Sequence, residues 1–408
     1  IQLDLLSLTK HTVILAGSGS GKTVLIKRLI EEAALAGIPS IVIDAANDLS
    51  RLGQAWPQPP SSWREGDAHK AERYFRETET IIWTPGREKG NPLYLSPLPD
   101  FSLIKNDSDE LLQAIFQTRD SFQEIITPGS SSTAQIKLGI FVEALRYFAQ
   151  HTCGTLDDFI ELLADLPPDA GGGITKSAKI AQDMADHIRA SLSSNPLLNS
   201  THQSLDPAIL LHSPSKKTRI SVMNFIGLPS LKSQQEFINQ LAMTLFTWIK
   251  KNPASPESPL QGLLVIDEAK DFIPSGRSTP CKQSLNRLAA QARKYGLGLI
   301  FATQLPKSID HSVIANCMTH FYGQINSPES INTIQDLLKQ KGSSASDISK
   351  LGTGNFYVYS DKINGEISKS TMKIKTPICL SYHPNSPMDE NAVLECAQQS
   401  HRLFNTEN

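Results

Sequence analysis

The segment "AGSGSGKT", from Ala16 to Thr23, has the residue types and spacing that bind phosphate. Its glycines tolerate backbone conformations that point successive N–H groups at phosphate oxygens. Lys22 supplies a cation for the β and γ phosphates of a nucleotide, and the Thr23 hydroxyl can ligate Mg²⁺. The alternative is a glycine-rich turn that binds nothing. An apolar strand predicted before the loop and a helix predicted after it favour the nucleotide site.

A pair of carboxylates follows the apolar run in "LLVIDEA". Asp267 ends a predicted buried strand, where it can hold Mg²⁺ together with Thr23. Glu268 lies one residue further on, where a carboxylate can polarise an attacking water. The alternative for both is solvated charge at a strand end. The predicted ligands are ATP and Mg²⁺, and the predicted nucleotide contacts are Gly17, Ser18, Gly19, Ser20, Gly21, Lys22, Thr23 and Val24.

Further polar residues end other predicted elements. Gln304, after the strand "IFAT", is a candidate sensor of the γ-phosphate, or else a polar cap. Arg293 precedes a glycine turn, and two interpretations stay open: stabilisation of a helix end, or an arginine finger that reaches a neighbouring subunit's nucleotide. Asp44, at the end of "IVID", either supports the metal site or caps a helix.

Apolar strand-like runs alternate with amphipathic patterns, which predicts an α/β fold with a mostly parallel sheet. Three helical patterns between the strands indicate a helical insertion on one edge of the sheet, and a hairpin is predicted to turn at Asn364 and Gly365. The predicted organisation is core residues 1–105, insertion 106–215, core residues 216–376 and a C-terminal tail 377–408.

The composition is that of an ordinary globular protein. The chain has 408 residues and a formal net charge of −2, so no basic excess marks a nucleic-acid partner. Its five cysteines show no metal-ligand spacing. No apolar run is long enough to span a bilayer, and no signal peptide is evident, so we expect a cytoplasmic location. The start at Ile1 suggests a piece of a longer protein.

Four segments together resemble the HerA/FtsK superfamily of RecA-fold P-loop ATPases: "LAGSGSGKT", "IVIDAANDL", "LLVIDEAKDFIP" and "RKYGLGLIFATQLPKSI". They lie within residues 11 to 310, in the order that the family shows. The resemblance implies a RecA-like core, with Lys22 and Thr23 as phosphate and Mg²⁺ ligands. Ala16 replaces the usual first glycine, and "DAAND" replaces a "DPHGE"-like stretch, so roles for Asp44 and Asp48 do not carry over.

The resemblance also implies Asp267 and Glu268 as the acidic pair, Gln304 as the sensor and Arg293 as the trans-acting finger. It implies a DNA translocase or helicase that works as a homohexameric ring, on double-stranded DNA, beside a nuclease or phage-defence partner. Candidate pore segments are residues 170–179, with Lys176 and Lys179, and residues 274–282, with Arg277 and Lys282. A nucleotide-dependent switch that gates a partner without moving DNA is the alternative, and a small-molecule kinase fits less well.

Overall fold

The computed structural model describes residues 4–94, 98–127, 133–194, 203–360, 362–363, 366–367 and 370–407. The chain forms two units, one of Ile1–Pro92 with Asp206–Asn408 and the other of Leu93–Leu205. No helix within the described ranges combines the length and apolar character needed to cross a bilayer.

Strands and helices alternate along most of the chain. The strands are β1 (Thr12–Leu15), β2 (Ser40–Asp44), β3 (Thr78–Trp83), β4 (Leu93–Tyr94), β5 (Gln203–Ser204), β6 (Thr218–Asn224), β7 (Gly262–Ile266), β8 (Leu297–Thr303), β9 (Thr319–Tyr322), β10 (Asn355–Tyr359), β11 (Lys362–Ile363), β12 (Glu366–Ile367) and β13 (Met372–Lys375). The helices are α1 (Leu5–Leu8), α2 (Lys22–Leu35), α3 (Asp67–Glu77), α4 (Ser108–Ile126), α5 (Ala134–His151), α6 (Leu156–Ala164), α7 (Ser177–Ser194), α8 (Pro207–Leu211), α9 (Leu231–Lys251), α10 (Lys282–Gln291), α11 (His311–Asn316), α12 (Pro328–Gln340) and α13 (Glu390–Glu407).

The first unit is built on a nine-stranded sheet in the order β13-β10-β9-β1-β8-β7-β2-β6-β3. From β9 to β3 all neighbouring strands are parallel, which confirms the mostly parallel sheet. Strands β1, β2 and β7 are buried along their whole length, as their near-continuous apolar sequences require.

The parallel register brings the carboxyl ends of the central strands to one edge of the sheet. Leu15 pairs with Thr303 at the ends of β1 and β8, and Ile266 pairs with Phe301 and with Ile43. The segments that follow β1, β2, β7 and β8 therefore all begin at this edge. Because functional residues of open α/β sheets collect at such an edge, the site is built there.

The second unit is inserted in the chain between the edge strand β3 and its neighbour β6. Its core packs the aromatic rings of Phe122, Phe141, Phe148 and Phe159 against one another, from helices α4, α5 and α6. The unit spans 93–205 rather than the expected 106–215. It begins earlier because the short parallel pair β4–β5 belongs to it, and it ends before α8, which packs on β6 of the first unit.

The C-terminal part completes the edge of the sheet beside β9. Strand β10 pairs antiparallel with both β9 and β13, and β11 pairs antiparallel with β12, so the predicted hairpin is present. Its predicted turn at Asn364 and Gly365 lies outside the described residues. The tail that follows β13 packs on α2, whose buried Glu31 carboxylate accepts hydrogen bonds from the Leu380 and Ser381 N–H groups.

Candidate nucleotide-binding and hydrolysis site

The glycines of the phosphate loop are required for different structural reasons. Gly19 and Gly21 adopt φ of 73° and 91°, in the left-handed region that favours glycine. Gly17 instead lies so close to the next segment that a Cβ there would be 2.9 Å from the Gln324 carbonyl oxygen. Gly21 is the N-cap of α2, so the loop leads directly into a helix N-terminus, where backbone N–H groups favour anions.

Lys22 lies at the first turn of α2 and is almost fully buried. Its Nζ is 2.5 Å from Asp267 Oδ1 and 2.6 Å from Glu268 Oε1. Burial disfavours the charged ammonium, but the two carboxylates outweigh this effect and raise the pKa of Lys22. Lys22 is therefore a cation that bridges the two acidic residues of the site.

The two carboxylates have different surroundings. Asp267 directly follows β7, and burial raises its pKa even though Lys22 opposes that rise. Glu268 adopts φ of 51°, and its carboxylate accepts hydrogen bonds from Lys22 and Gln304 on one oxygen and from Lys270 on the other. Burial alone would raise the pKa of Glu268, but Lys22 and these hydrogen bonds lower it overall, so Glu268 is ionised at neutral pH. An ionised carboxylate is the form that can accept a proton from water.

Gln304 reaches this cluster from the strand between β1 and β7. It follows Thr303 at the end of β8, and its Nε2 donates to Glu268 Oε1 at 2.8 Å. The structure therefore brings Lys22, Asp267, Glu268 and Gln304 together, although they lie far apart in sequence. An amide that contacts the candidate base is placed to respond to the γ-phosphate and to the attacking water.

The residues expected to bind Mg²⁺ fit a hard cation. Thr23 is partly exposed beside Lys22, and its hydroxyl makes no hydrogen bond to any residue that the structure describes. Asp267 offers a carboxylate next to the same lysine. No group of three or more His, Cys, Asp or Glu side chains forms a metal site within the described ranges. This sparse set of oxygen donors suits Mg²⁺, which takes few protein ligands and completes its shell with water and nucleotide phosphates.

Asp44 is a structural cap, which decides between its two interpretations. Its carboxylate accepts hydrogen bonds from the N–H groups of Asp48 and Ser50 and from the Ser50 hydroxyl. These bonds start the short 3-10 turn Leu49–Gly53 and leave Asp44 fully buried. For Asp48, burial raises the pKa of the carboxyl group, and the Asp267 carboxylate adds to the rise.

Arg293 is exposed and lies at the amino end of β8, opposite the end of the sheet that carries the site. It belongs to the 3-10 turn Ala292–Tyr295 before β8, whereas Gln304 follows the end of that strand. A strand of this length spans about 20 Å at roughly 3.3 Å per residue. Arg293 therefore cannot act on the nucleotide of its own chain without a large movement.

Two of the lysines that were predicted to lie in pore loops belong to helices instead. Lys179 lies inside α7, because the helix begins at Ser177 and the loop is shorter than the sequence indicated. Lys282 is the first residue of α10, where its Nζ pairs with Asp310 at 2.8 Å and donates to two backbone carbonyls. It anchors the preceding loop, whereas Arg277 in that loop is exposed.

Sequence reasoning missed a contact on the outer side of the phosphate loop. The Thr353 hydroxyl donates to the Gly19 carbonyl at 3.0 Å, and the Gly354 N–H donates to the Ser20 carbonyl at 2.8 Å. The only local signal is the "GTG" at residues 352–354, which reads as an ordinary turn before β10.

A glycine loop after β1, an Asp-Glu pair after β7 and a glutamine after the intervening β8 define a P-loop ATPase site on a RecA-like core. The family described as "Helicase HerA, central domain" matches residues 1–244, which is more than half of the chain. The protein therefore belongs to this HerA helicase family.

Individual relatives agree with this assignment. The DNA double-strand break repair helicase HerA of Saccharolobus solfataricus is 23% identical over 361 residues, which cover 84% of this chain and 61% of the relative. A probable DNA double-strand break repair helicase HerA of Methanocaldococcus jannaschii is 28% identical over 129 residues, which cover 31% of this chain and 25% of the relative. The matches thus span less than two thirds of either relative.

Solved structures resemble the fold. The bacterial conjugative coupling protein TrwB aligns with a TM-score of 0.54 at 13% identity, over 93% of this chain and 88% of TrwB. VirB4 of Thermoanaerobacter pseudethanolicus aligns with a TM-score of 0.52 at 13% identity, over 90% of this chain and 88% of VirB4. At such low identity these likenesses show the RecA-like fold alone.

Proposed function

We propose that the protein hydrolyses ATP with Mg²⁺ and uses the energy to move double-stranded DNA through a homohexameric ring. Membership of the HerA family and the assembled Lys22, Asp267, Glu268 and Gln304 cluster support the hydrolysis. TrwB, which shares the fold, has been solved in complex with ADP and Mg²⁺. The observation that carries the motor function is a physical connection between this cluster and an exposed basic loop.

Two loops that start at the cluster are joined to each other. One follows Glu268, and the other follows Gln304. The Ser275 N–H donates to the Ser308 carbonyl at 2.9 Å, and the Asp310 N–H donates to the Ile273 carbonyl at 2.9 Å. The loops are therefore joined in one paired element by an antiparallel bridge between Pro274 and Ile309, a few residues after Glu268 and Gln304. A rearrangement of the Glu268–Gln304 contact during hydrolysis would be transmitted to both loops together.

The tip of this paired element is chemically suited to a phosphate backbone. Arg277 is exposed next to Gly276, and its side chain forms no ion pair with any residue in the described part of the chain. Leu305 is 45% exposed, and Lys307 pairs with Glu329 at the surface. An exposed guanidinium group on a loop binds nucleic-acid phosphates without reading sequence.

DNA-stimulated ATP turnover tests the motor function. We expect double-stranded DNA to raise the turnover rate and rising salt to weaken the effect, because phosphate contacts release counterions. Arg277→Ala should raise the DNA concentration needed for half-maximal stimulation by about 3- to 10-fold, without changing the rate in the absence of DNA. Lys217→Ala is the matched control. It removes an exposed charge just before the amino end of β6, away from the strand ends that carry the site.

The alternative is a nucleotide-dependent switch that gates a partner without moving DNA. An ATPase whose rate is the same with and without double-stranded DNA would favour this switch and contradict the motor. A nuclease or other effector subunit is the partner that we propose for either activity, in the cytoplasm. The mass of the particle with ATP and DNA distinguishes a hexameric ring from a monomeric switch.

Arg293 is the residue that we propose to complete the site of a neighbouring subunit. Its exposure and its distance from the chain's own Lys22 support a role in trans. Arg293→Ala should lower the turnover rate of the oligomer by about 1,000-fold or more, because an arginine finger stabilises transition-state charge. Lys294→Ala, at the adjacent exposed position, should retain most activity.

A mixing experiment makes the test of Arg293 specific. Arg293→Ala keeps an intact phosphate loop but lacks the finger, and Lys22→Ala has the finger but lacks the loop lysine. If the finger acts in trans, assembling the two inactive variants together restores turnover at the interfaces that combine an intact loop with an intact finger. A mixture that stays inactive, although mixed oligomers are present by mass, would contradict the assignment.

A further inference from the structure

The segment before β10 lies against the outer side of the phosphate loop. Thr353 Oγ1 donates to the Gly19 carbonyl at 3.0 Å, and the Gly354 N–H donates to the Ser20 carbonyl at 2.8 Å. Both acceptors are loop carbonyls, and both donors come from consecutive residues more than three hundred positions away in sequence. This segment has no role in the site that the motifs define.

These two hydrogen bonds determine the orientation of peptide groups in the phosphate loop. In a trans peptide the C=O and N–H bonds point in opposite directions. When the Ser20 carbonyl is held outward by Gly354, the Gly21 N–H must point to the inner side, where phosphate binds. The Thr353 hydroxyl holds the preceding Gly19 carbonyl on the same side, and the N–H of that peptide, which belongs to Ser20, donates to the Gly17 carbonyl at 3.3 Å. Loop N–H groups that point inward form the anion-binding concavity.

The fit between the two segments is close and is anchored in the sheet. A Cβ on Gly21 would lie 2.9 Å from the Gly354 nitrogen, so only glycine allows this approach. Gly354 itself adopts φ of 78°. Its carbonyl accepts a hydrogen bond from the Thr376 N–H at 2.8 Å, just after β13. The phosphate loop is thus connected through Gly354 to the strands β10 and β13.

The other side of the loop is held by a separate contact. The Gly17 N–H donates to the Gln324 carbonyl at 2.8 Å, and the Ser20 hydroxyl donates to the Gly17 carbonyl at 2.6 Å. Gly17, Gly19 and Ser20 are therefore all held by hydrogen bonds to the chain's own groups. A binding loop that is ordered in advance loses less conformational entropy when its ligand arrives.

We propose that Thr353 and Gly354 are positioning residues for nucleotide binding, which hold the phosphate loop in the shape that receives the triphosphate. They act through the loop and not on the reacting atoms, so they contribute to affinity and not to the rate of the chemical step. This inference rests on the proposed ATPase activity, but it is independent of any movement of DNA.

Equilibrium titration with ATP and Mg²⁺ on the full chain, without DNA, tests the proposal. Thr353→Val removes the hydroxyl but keeps the shape, and we expect the Kd for ATP to rise by about 2- to 10-fold, as for one lost hydrogen bond. Thr353→Ser keeps a hydroxyl and should restore affinity close to that of the wild type. In turnover assays KM should rise with Thr353→Val, whereas kcat at saturating ATP should stay the same.

Substitutions of Gly354 provide an independent test of the positioning role. Gly354→Ala forces a Cβ into a positive-φ position, which should displace the N–H from Ser20 and weaken ATP binding, whereas Gly354→Asn tolerates that conformation better and should weaken it less. Thr127→Val, which removes a similar hydroxyl-to-carbonyl bond at the end of α4 in the other unit, is the matched control and should leave the Kd unchanged.

The outcomes separate this inference from the ATPase proposal. If the wild-type chain does not bind ATP, the ATPase proposal itself is wrong. If the wild type binds ATP and Thr353→Val binds it equally well, or if Thr353→Ser loses as much affinity as Thr353→Val, the positioning role is wrong. A fall in kcat with an unchanged KM would also contradict it.

Discussion

Replacing Lys22 with alanine is expected to lower the ATP turnover rate by at least about 100-fold, as for the loss of one preorganised electrostatic contact to the transition state. Among the residues that the structure describes, Lys22 is the only cation that contacts both Asp267 and Glu268. When a nucleotide binds, its phosphates compete with these carboxylates for the same ammonium. Without Lys22 the phosphates would enter a site whose nearest side-chain charges are negative. A radiometric or coupled phosphate-release assay at saturating ATP measures the effect.

The same substitution has a second effect that does not depend on nucleotide. In the free chain, Lys22→Ala removes the cation between two carboxylates that are largely buried. Breaking a buried ion pair from one side costs about 3 kcal/mol of the free energy of unfolding. The loss should shrink as pH falls, because protonation of Asp267, whose pKa is raised, removes the uncompensated charge. Denaturant unfolding of the nucleotide-free variant at neutral and at acidic pH measures this change.

A surface ion pair provides the control for the stability effect. Lys70 contacts Glu32 at 2.7 Å, but both side chains are exposed by more than 40%. Lys70→Ala should therefore change the free energy of unfolding by less than about 1 kcal/mol and leave turnover intact. Equal destabilisation by Lys22→Ala and Lys70→Ala would show that the Lys22 pairs do not stabilise the free chain. Normal turnover by Lys22→Ala would remove Lys22 from the phosphate site.

The sequence predicted those parts of the site that follow from local sequence patterns. The apolar runs of β1, β7 and β8 can be buried only as central strands of a parallel sheet, and the carboxyl ends of such strands share one edge. The residues that follow these runs, Lys22, Asp267, Glu268 and Gln304, therefore had to lie near each other. The structure brings these residues into one cluster, with Lys22 against both carboxylates and Gln304 against Glu268.

Other features depend on contacts between distant segments, which no local pattern records. The fit of Gly354 against Gly21 follows from the register of β10 on β9, and the sequence contains only an ordinary turn there. Asp44 had two open interpretations, because the same position at a strand end serves a metal or a cap. The structure supports the cap, because the N–H and the hydroxyl of Ser50 both donate hydrogen bonds to Asp44.

Replacing Glu268 with glutamine is expected to separate ATP binding from hydrolysis. The amide keeps the size of the side chain but cannot accept a proton from water at neutral pH. Loss of the general base should lower the turnover rate by about 100- to 1,000-fold. ATP affinity should be retained or increased, because the 2.6 Å ion pair between Glu268 and Lys22 no longer competes with the phosphates. Turnover and the Kd for ATP are measured on the same preparation.

Asp271→Asn is the matched control for this variant, because it neutralises a nearby acid that pairs with Lys270 but does not contact Lys22. Its turnover should remain close to that of the wild type. Rapid hydrolysis by Glu268→Gln would show that another group activates the water, and Asp48, whose pKa the Asp267 carboxylate helps to raise, would be the next carboxylate to test. Loss of ATP binding together with turnover would show instead that Glu268 organises the site and is not its base. The expected result is a chain that holds ATP without cleaving it, since binding depends on Lys22 and the loop N–H groups, whereas cleavage depends on the charge of Glu268.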